Sequence, residues 1–166
     1  LPGAGTFYVR VTGSTVNNDD CYYRNCSATD VPFANWNLPN SPLAECSGGP
    51  EGASWTALGH CRNPRLDIDS IFDNGTPENI NVDVPQNNAT YRVMAHYYSG
   101  TGVALPMVNV YCGGRLLGSY GAAPDTVPGF DLSGGFGGGD MWRVVDATPT
   151  VVGGVTTGCT LTPLHP

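Results

Sequence analysis

Short stretches in which apolar and polar residues alternate dominate the chain. The clearest of them are TFYVRVT, LDID, NINVDV and YRVMAHYY. Successive side chains of a β-strand point to opposite faces of a sheet, so this period of two predicts strands with one buried face. The alternation places Leu66, Ile80 and Val93 on that face.

The C-terminal half predicts further strands. In MVNVYCGGRLLGSY, two strands flank Gly113 and Gly114, a two-residue turn that needs positive φ. MWRVVDA and TVVGGVTTGCTL supply one or two more strands, and no window shows the 3.6-residue apolar stripe of a helix. About eight short strands with turn residues between them predict an all-β fold, an antiparallel β-sandwich.

Residues 13–63 interrupt this pattern. They are rich in Asn, Pro, Ser and Cys and lack periodicity, which predicts a long, disulfide-pinned loop region. Loops of that length in a compact domain are usually functional. We therefore expect one β-sandwich domain over residues 1–147 with this insertion. Residues 148–166 then form a C-terminal strand or tail, packed on the domain or exchanged with a neighbour.

Charge and composition exclude several classes of function. The net charge is −7, and all seven basic residues are Arg, so Schiff-base chemistry and a lysine-dependent phosphate loop are excluded. The scattered Arg residues predict no nucleic-acid partner and no anionic membrane surface. No apolar run approaches the roughly 20 residues of a membrane span, so we expect no membrane insertion. The start at Leu1 suggests a mature product or an excised domain, with any signal peptide already removed.

The six cysteines predict disulfide bonds. They form an even set without CxxC spacing, which is typical of chains oxidised outside the cytosol. Six cysteines allow 15 pairings, among which sequence alone does not choose; proximity favours Cys21–Cys26 and Cys46–Cys61, which would leave Cys112 to pair with Cys159. We therefore expect a secreted chain that is extracellular or on a cell surface. Three N-x-Ser/Thr sequons, at Asn25, Asn74 and Asn88, are glycan sites only in a host that glycosylates them.

An acidic stretch, PRLDIDSIFDNGTPENINV, is the main candidate site. Strand spacing places Asp67 and Asp69 on one face, about 7 Å apart. The turn that follows brings Asp73, Asn74 and Glu78 back past them. Carboxylate, amide and carbonyl oxygens on folded loops are the ligands of Ca²⁺. With no Lys and few Arg nearby, these carboxylates repel one another unless a cation neutralises them, so the stretch predicts a Ca²⁺ site.

Asp19 and Asp20 complete the predicted Ca²⁺ shell if their loop folds over this edge. Two other interpretations remain open. One is a solvated polar turn, because Asp73-Asn74-Gly75 is a strong turn signal by itself. The other is a glycan-hydrolysing carboxylate pair, Asp69 and Glu78. The chain has no G-x-S-x-G elbow and its histidines are widely spread, so we expect no enzyme.

Aromatic residues are candidates for binding. The two tyrosine pairs are Tyr22 with Tyr23, in the loop region, and Tyr97 with Tyr98, at a strand end. Exposed Tyr side chains stack on sugars and contact partner proteins. Trp36 and Trp55 are instead expected to fill a minor core beside Cys46–Cys61.

The tail TPTVVGGVTTGCTL is uncharged and rich in β-forming residues. Such a strand closes its own sheet or completes a neighbour's, which would make the chain a subunit of a filament or surface layer. The N-terminal FYVRVT has the same character.

The motifs DCYYRNC, LDID, PENI, HYYS and VNVYCGG, in this order, resemble a β-sandwich domain of large secreted and surface proteins of Gram-negative bacteria. The resemblance covers roughly residues 6–147. It implies an extracellular, non-catalytic module, adhesive or binding, with an acidic cation site. Ser70 stands where such domains carry a further acid, the Cys46–Cys61 segment is additional, and the tail extends beyond the resemblance.

From these observations we expect a non-catalytic extracellular module, adhesive or structural, with Ca²⁺ as its cofactor. Its partners would be other copies of itself or a cell-surface protein or glycan. The alternatives are a filament or surface-layer subunit joined by terminal strands, and a carbohydrate-binding module or glycan-active enzyme.

Overall fold

The computed structural model describes residues 20–70, 75–97, 102–121 and 141–164. These residues contain seven strands, and every strand pair is antiparallel. The strands are β1 Arg65–Ile68, β2 Asn79–Asn81, β3 Tyr91–His96, β4 Val108–Cys112, β5 Arg115–Tyr120, β6 Met141–Val152 and β7 Val155–Pro163. The predicted all-β, antiparallel fold is confirmed; the strand predicted in TFYVRVT lies outside the described residues.

The chain divides into two compact units, Leu1–Pro85 and Gln86–Pro166. Each unit has buried clusters of its own. Over the described ranges, no helix is both long and apolar enough to cross a membrane.

The sheet of the first unit is small. Strands β1 and β2 pair with Leu66 opposite Ile80. Leu66 is buried with Cys26 and Ala34, as the alternation predicted. Ile80 was expected on the same buried face but is 52% exposed. That expectation was wrong because β2 is only three residues long, and the alternation continues past its end.

The region expected to be a loop holds two short helices. A 3-10 helix spans Leu43–Glu45 and the α-helix α1 spans Gly52–Leu58. Helix α1 makes about two turns, too few to produce a periodic pattern. It ends at Gly59, which adopts the left-handed conformation. Its Trp55 is buried with both half-cystines of the Cys46–Cys61 bridge, so the minor core predicted for this tryptophan is confirmed.

All six cysteines are paired as the sequence predicted. The bonds are Cys21–Cys26, Cys46–Cys61 and Cys112–Cys159. Disulfides persist in non-reducing surroundings, which an extracellular location provides.

The second unit consists of two antiparallel sheets over one core. One sheet has the order β3-β6-β7 and the other is the hairpin β4-β5. Val110 and Tyr120 from the hairpin are buried with Trp142, Val144 and Val145 from β6. Val93, Ala95 and Tyr97 pack against this core, which confirms the inward face predicted for β3. The Cys112–Cys159 bond joins the hairpin to β7.

Strand β6 runs without a break through residue 147 and pairs with β7 of the same chain. Gly153 and Gly154 turn the chain between them, both at positive φ. In the other hairpin, Gly113 and Gly114 form the predicted turn, also at positive φ.

Gly113 lies against the edge of β7. A Cβ placed on Gly113 would come within 2.9 Å of the backbone carbonyl oxygen of Thr156. The turn of the β4–β5 hairpin therefore covers one backbone acceptor of β7, and only glycine permits so close an approach.

A pair of glycine variants separates this contact from the cost of the turn itself. Gly113 and Gly153 have nearly equal φ angles of 55° and 60°, but a Cβ on Gly153 meets nothing. Gly153→Ala should cost about 1 kcal/mol for the left-handed conformation alone. Gly113→Ala should cost roughly 1 kcal/mol more by displacing the hairpin from β7. Urea unfolding measures both, and equal losses would contradict the contact.

Candidate functional site

Strand β1, which contains Asp67, also contains the positively charged Arg65. Arg65, the first residue of β1, is 3% exposed. Its Nε donates to Oδ1 of Asp67 at 2.7 Å, one Nη donates to the Asp83 carboxylate, and the other Nη donates to the Glu45 carbonyl at 3.2 Å. Burial by itself lowers the pKa of Arg65, but the hydrogen bonds to Asp83 and Asp67 and the charges of these two carboxylates outweigh it and raise that pKa above its ordinary value.

Asp67 is therefore neutralised within the chain. Its Oδ1 accepts from Arg65, and its Oδ2 accepts from the side-chain amide of Asn81 on β2. The premise that too few Arg residues lie near these carboxylates was wrong for Asp67. The signal for this pair is in the sequence, because Arg65 and Asp67 are two positions apart in a strand and residues i and i+2 of a strand share a face.

Asp69 and Glu78, the two other described acids of this stretch, differ from Asp67 in that their ionisation is disfavoured. Partial desolvation, and then the charge of Asp30, raise the pKa of the Asp69 carboxyl above 3.8. Partial desolvation, and then the charge of Asp69, raise the pKa of the Glu78 carboxyl above 4.5. The charge of Asp69 thus disfavours ionisation of Glu78, the second carboxylate of this pair.

The rest of the predicted ligand set is only partly visible. Asp19, Asp73 and Asn74 lie outside the described residues. Asp20 is described, and its backbone carbonyl accepts a hydrogen bond from Asn25. Considering only the described residues, no three His, Cys, Asp or Glu side chains are close enough to hold a metal ion.

Asn25 organises the Cys21–Cys26 loop. Its side chain is fully buried, with Nδ2 donating to the Asp20 carbonyl at 2.7 Å and Oδ1 accepting from the Tyr22 amide at 3.0 Å. Its backbone carbonyl accepts from the Ala34 amide. In the folded chain the side-chain amide of this sequon asparagine is therefore buried, and both its nitrogen and its oxygen are hydrogen-bonded.

The predicted binding tyrosines are held against their own chain. The rings of Tyr22 and Tyr23 meet edge to face at 5.6 Å, and the Arg24 guanidinium lies 5.7 Å from the Tyr23 ring centroid. Desolvation raises the pKa of Tyr22, although Arg24 opposes the rise. The Tyr97 hydroxyl donates to the Gly102 carbonyl at 3.0 Å, and Tyr98 lies outside the described residues.

A more exposed aromatic residue was overlooked. Tyr111 on β4 is 63% exposed and lies opposite Leu116 on β5, which is 51% exposed. The alternation in VNVYCGG contains the signal, because the register that buries Val110 points Tyr111 outward. Apolar residues at such outward positions indicate a surface that contacts something else.

Comparison with known proteins yields no relative: no family model, curated protein or solved structure matches the chain. The resemblance to surface-protein domains stays an expectation.

The buried arginine should be far more important for stability than an exposed one. Arg65→Met leaves Asp67 and Asp83 without their cation, and removing one partner of a buried ion pair costs about 3–5 kcal/mol. Chemical denaturation of the variant measures the loss. Arg65→Lys should recover only part of it, because an ammonium cannot serve three acceptors in the same fork.

The matched control is Arg92→Met. Arg92 also binds a carboxylate, that of Asp146, with two hydrogen bonds of 2.8 Å, but this pair is partly exposed. Such pairs contribute about 0–1 kcal/mol. Equal losses for the two variants would show that burial of Arg65 contributes nothing.

Proposed function

We propose that the chain is a non-catalytic extracellular module that acts in adhesion to, or assembly of, a cell surface. Three disulfides indicate a non-reducing compartment, and secretion is the simplest route to it. The motifs that resemble bacterial surface-protein domains point the same way.

The observation that carries the proposal is the exposed apolar side of the β4–β5 hairpin. Tyr111 and Leu116 face outward while the hairpin beneath them is bonded to β7 through Cys112–Cys159. A rigid strand pair that presents an aromatic and an aliphatic side chain is suited to binding, because little conformational entropy is lost on contact.

Binding to cell surfaces tests this proposal. Because the chain has no lysine, an amine-reactive linker attaches only to its N-terminus and fixes one orientation on a sensor. Envelope fragments of Gram-negative bacteria and surface polysaccharides are then passed over it. Tyr111→Ala should cost about 2 kcal/mol, roughly thirtyfold in affinity, as expected for a central aromatic contact.

Val31→Ala is the matched control, since Val31 is a highly exposed apolar residue in the other unit. It should change the affinity less than about twofold. The proposal of adhesion fails if no envelope component binds, and the hairpin is not the binding surface if Tyr111→Ala binds as well as the wild type.

We extend the proposal to a Ca²⁺ ion bound by Asp69 and Glu78, with Asp73 and Asn74 as the expected loop ligands. The support is that each of the two acids is harder to ionise than an ordinary carboxyl group: Asp69 through desolvation and the charge of Asp30, and Glu78 through desolvation and the charge of Asp69. A bound cation would remove this repulsion, as would protonation or a neutral side chain.

The pH dependence of the melting temperature, compared between the wild type and Glu78→Gln, tests the repulsion that the proposed ion would relieve. A raised folded-state pKa means that ionisation destabilises the fold, so stability falls as pH rises from the unfolded value towards the folded one. Without metal, Glu78→Gln should therefore melt above the wild type at pH 7, and the difference should shrink as pH falls towards 4.5 and vanish below it. Calorimetric melting from pH 3 to pH 7 measures this.

Added Ca²⁺ completes the test. Millimolar Ca²⁺ should raise the melting temperature of the wild type, because a ligand of the native state stabilises it. It should have little effect on Glu78→Gln, whereas the control Glu45→Gln, which removes an exposed carboxylate elsewhere in the unit, should respond like the wild type. An unchanged wild type at saturating Ca²⁺ removes the ion from the proposal.

Assembly through the C-terminal strand is a second candidate. Strand β7 is the outermost strand of its sheet and has no charged residue in its nine positions. Edge strands of this kind accept further strands. Gly113 already lies against one carbonyl of β7, so strand addition would use the part of β7 beyond Thr156. Thr160→Lys and Thr162→Lys should block it, and filaments that persist in these variants would exclude it.

A further inference from the structure

The outward side of the β4–β5 hairpin forms a continuous surface, here called the hairpin face. It consists of Met107, Asn109, Tyr111, Leu116 and Ser119. Tyr111 is opposite Leu116 and Asn109 is opposite Ser119, so each pair shares a side of the sheet. Met107 continues the same alternation just before β4 and is 65% exposed.

The hairpin face has a polar centre between two apolar ends. At the centre, the Ser119 hydroxyl bonds to Oδ1 of Asn109 at 2.7 Å, which leaves the Asn109 amide group to donate outward. Tyr111 with Leu116 forms one end and Met107 forms the other. Rotation by 180° about an axis through the polar centre exchanges the two ends.

The low charge of this hairpin suits contact with a second copy of the chain, whose other unit is strongly acidic. Residues 1–85 hold ten acidic residues and four Arg, a net charge of −6, whereas residues 86–166 hold four acidic residues and three Arg, a net charge of −1. Between residues 102 and 121 the only charged residue is Arg115. Two strongly acidic chains can therefore meet at this hairpin without opposing carboxylates on it.

We infer that the hairpin face binds the hairpin face of a second copy about a two-fold axis through Asn109 and Ser119. Such an axis places Met107 of one copy on the Tyr111–Leu116 pair of the other, twice per dimer. A thioether against an aromatic ring is a favourable contact. The inference rests on the proposed assembly function and names its partner.

The dimer should be weak and favoured by salt. Two short strands per copy form an interface at the small end of the known range, which is typical of transient complexes. Each chain has a net charge of −7, so two copies repel each other. Salt screens that repulsion. The dissociation constant should therefore fall as ionic strength rises from about 0.02 M to about 0.3 M, a range over which the screening length shortens severalfold.

Sedimentation velocity over a wide concentration range, up to about 1 mM for a contact this small, tests the inference on the intact, oxidised chain. The wild type should form a dimer, and Leu116→Glu should weaken it at least about tenfold by placing carboxylates in the apolar ends. Met107→Glu should weaken it similarly. The control is Val155→Glu, because Val155 is 64% exposed and lies outside the hairpin face; it should dimerise like the wild type.

A wild type that stays monomeric throughout this range overturns the inference, as does a loss in Val155→Glu as large as in Leu116→Glu. Assembly that is blocked by Thr160→Lys but not by Leu116→Glu also overturns it, in favour of strand addition. A chain that binds envelope but stays monomeric up to about 1 mM overturns the inference and leaves the proposed function intact. Dimers without envelope binding leave the inference intact and remove adhesion.

Discussion

The disulfide bonds are the constraint on which the rest of the structure depends. In the first unit the half-cystines are themselves core residues: Cys46 and Cys61 lie in one buried cluster and Cys26 lies in another. These clusters contain too few apolar side chains to stabilise a fold alone. Closing the loop between Cys46 and Cys61, 15 residues apart, removes unfolded-state entropy worth about 3 kcal/mol. The cross-links therefore replace the large core that a 13–63 segment rich in Asn and Pro cannot form.

Arg65 links separate segments of the first unit by ion pairs and hydrogen bonds, as the disulfides link them covalently. In a chain without lysine, a buried guanidinium between Asp67 and Asp83 ties β1 to the segment after β2, and its third donor reaches the Glu45 carbonyl in the helical region. Arginine suits this position because its planar fork serves several acceptors at once and keeps its charge when buried. Among the described acids in and next to the acidic stretch, Asp67 and Asp83 are thus neutralised, whereas ionisation of Asp69 and Glu78 is disfavoured.

The sequence predicted features that depend on near neighbours. The alternation around Val93 and Ala95, the Gly113–Gly114 turn and the two short-range cysteine pairs follow from local geometry, and all three are confirmed. Helix α1 was missed because two turns carry no periodic signal, and Ile80 was misplaced because an alternating pattern does not mark where pairing stops. The partners of Arg65 are up to 20 residues away, a separation at which sequence alone does not identify a contact.

The exposed apolar residues of the hairpin have no evident structural purpose in their own unit. Val110 and Tyr120 already supply the hairpin's share of the core, whereas Tyr111 and Leu116 leave more than half of their surface exposed. In water an exposed Tyr–Leu pair adds little stability and raises the risk of aggregation. The Cys112–Cys159 bond and the Gly113 contact with Thr156 hold this hairpin in place. A surface that is costly when free and fixed in position is best explained by contact with a partner.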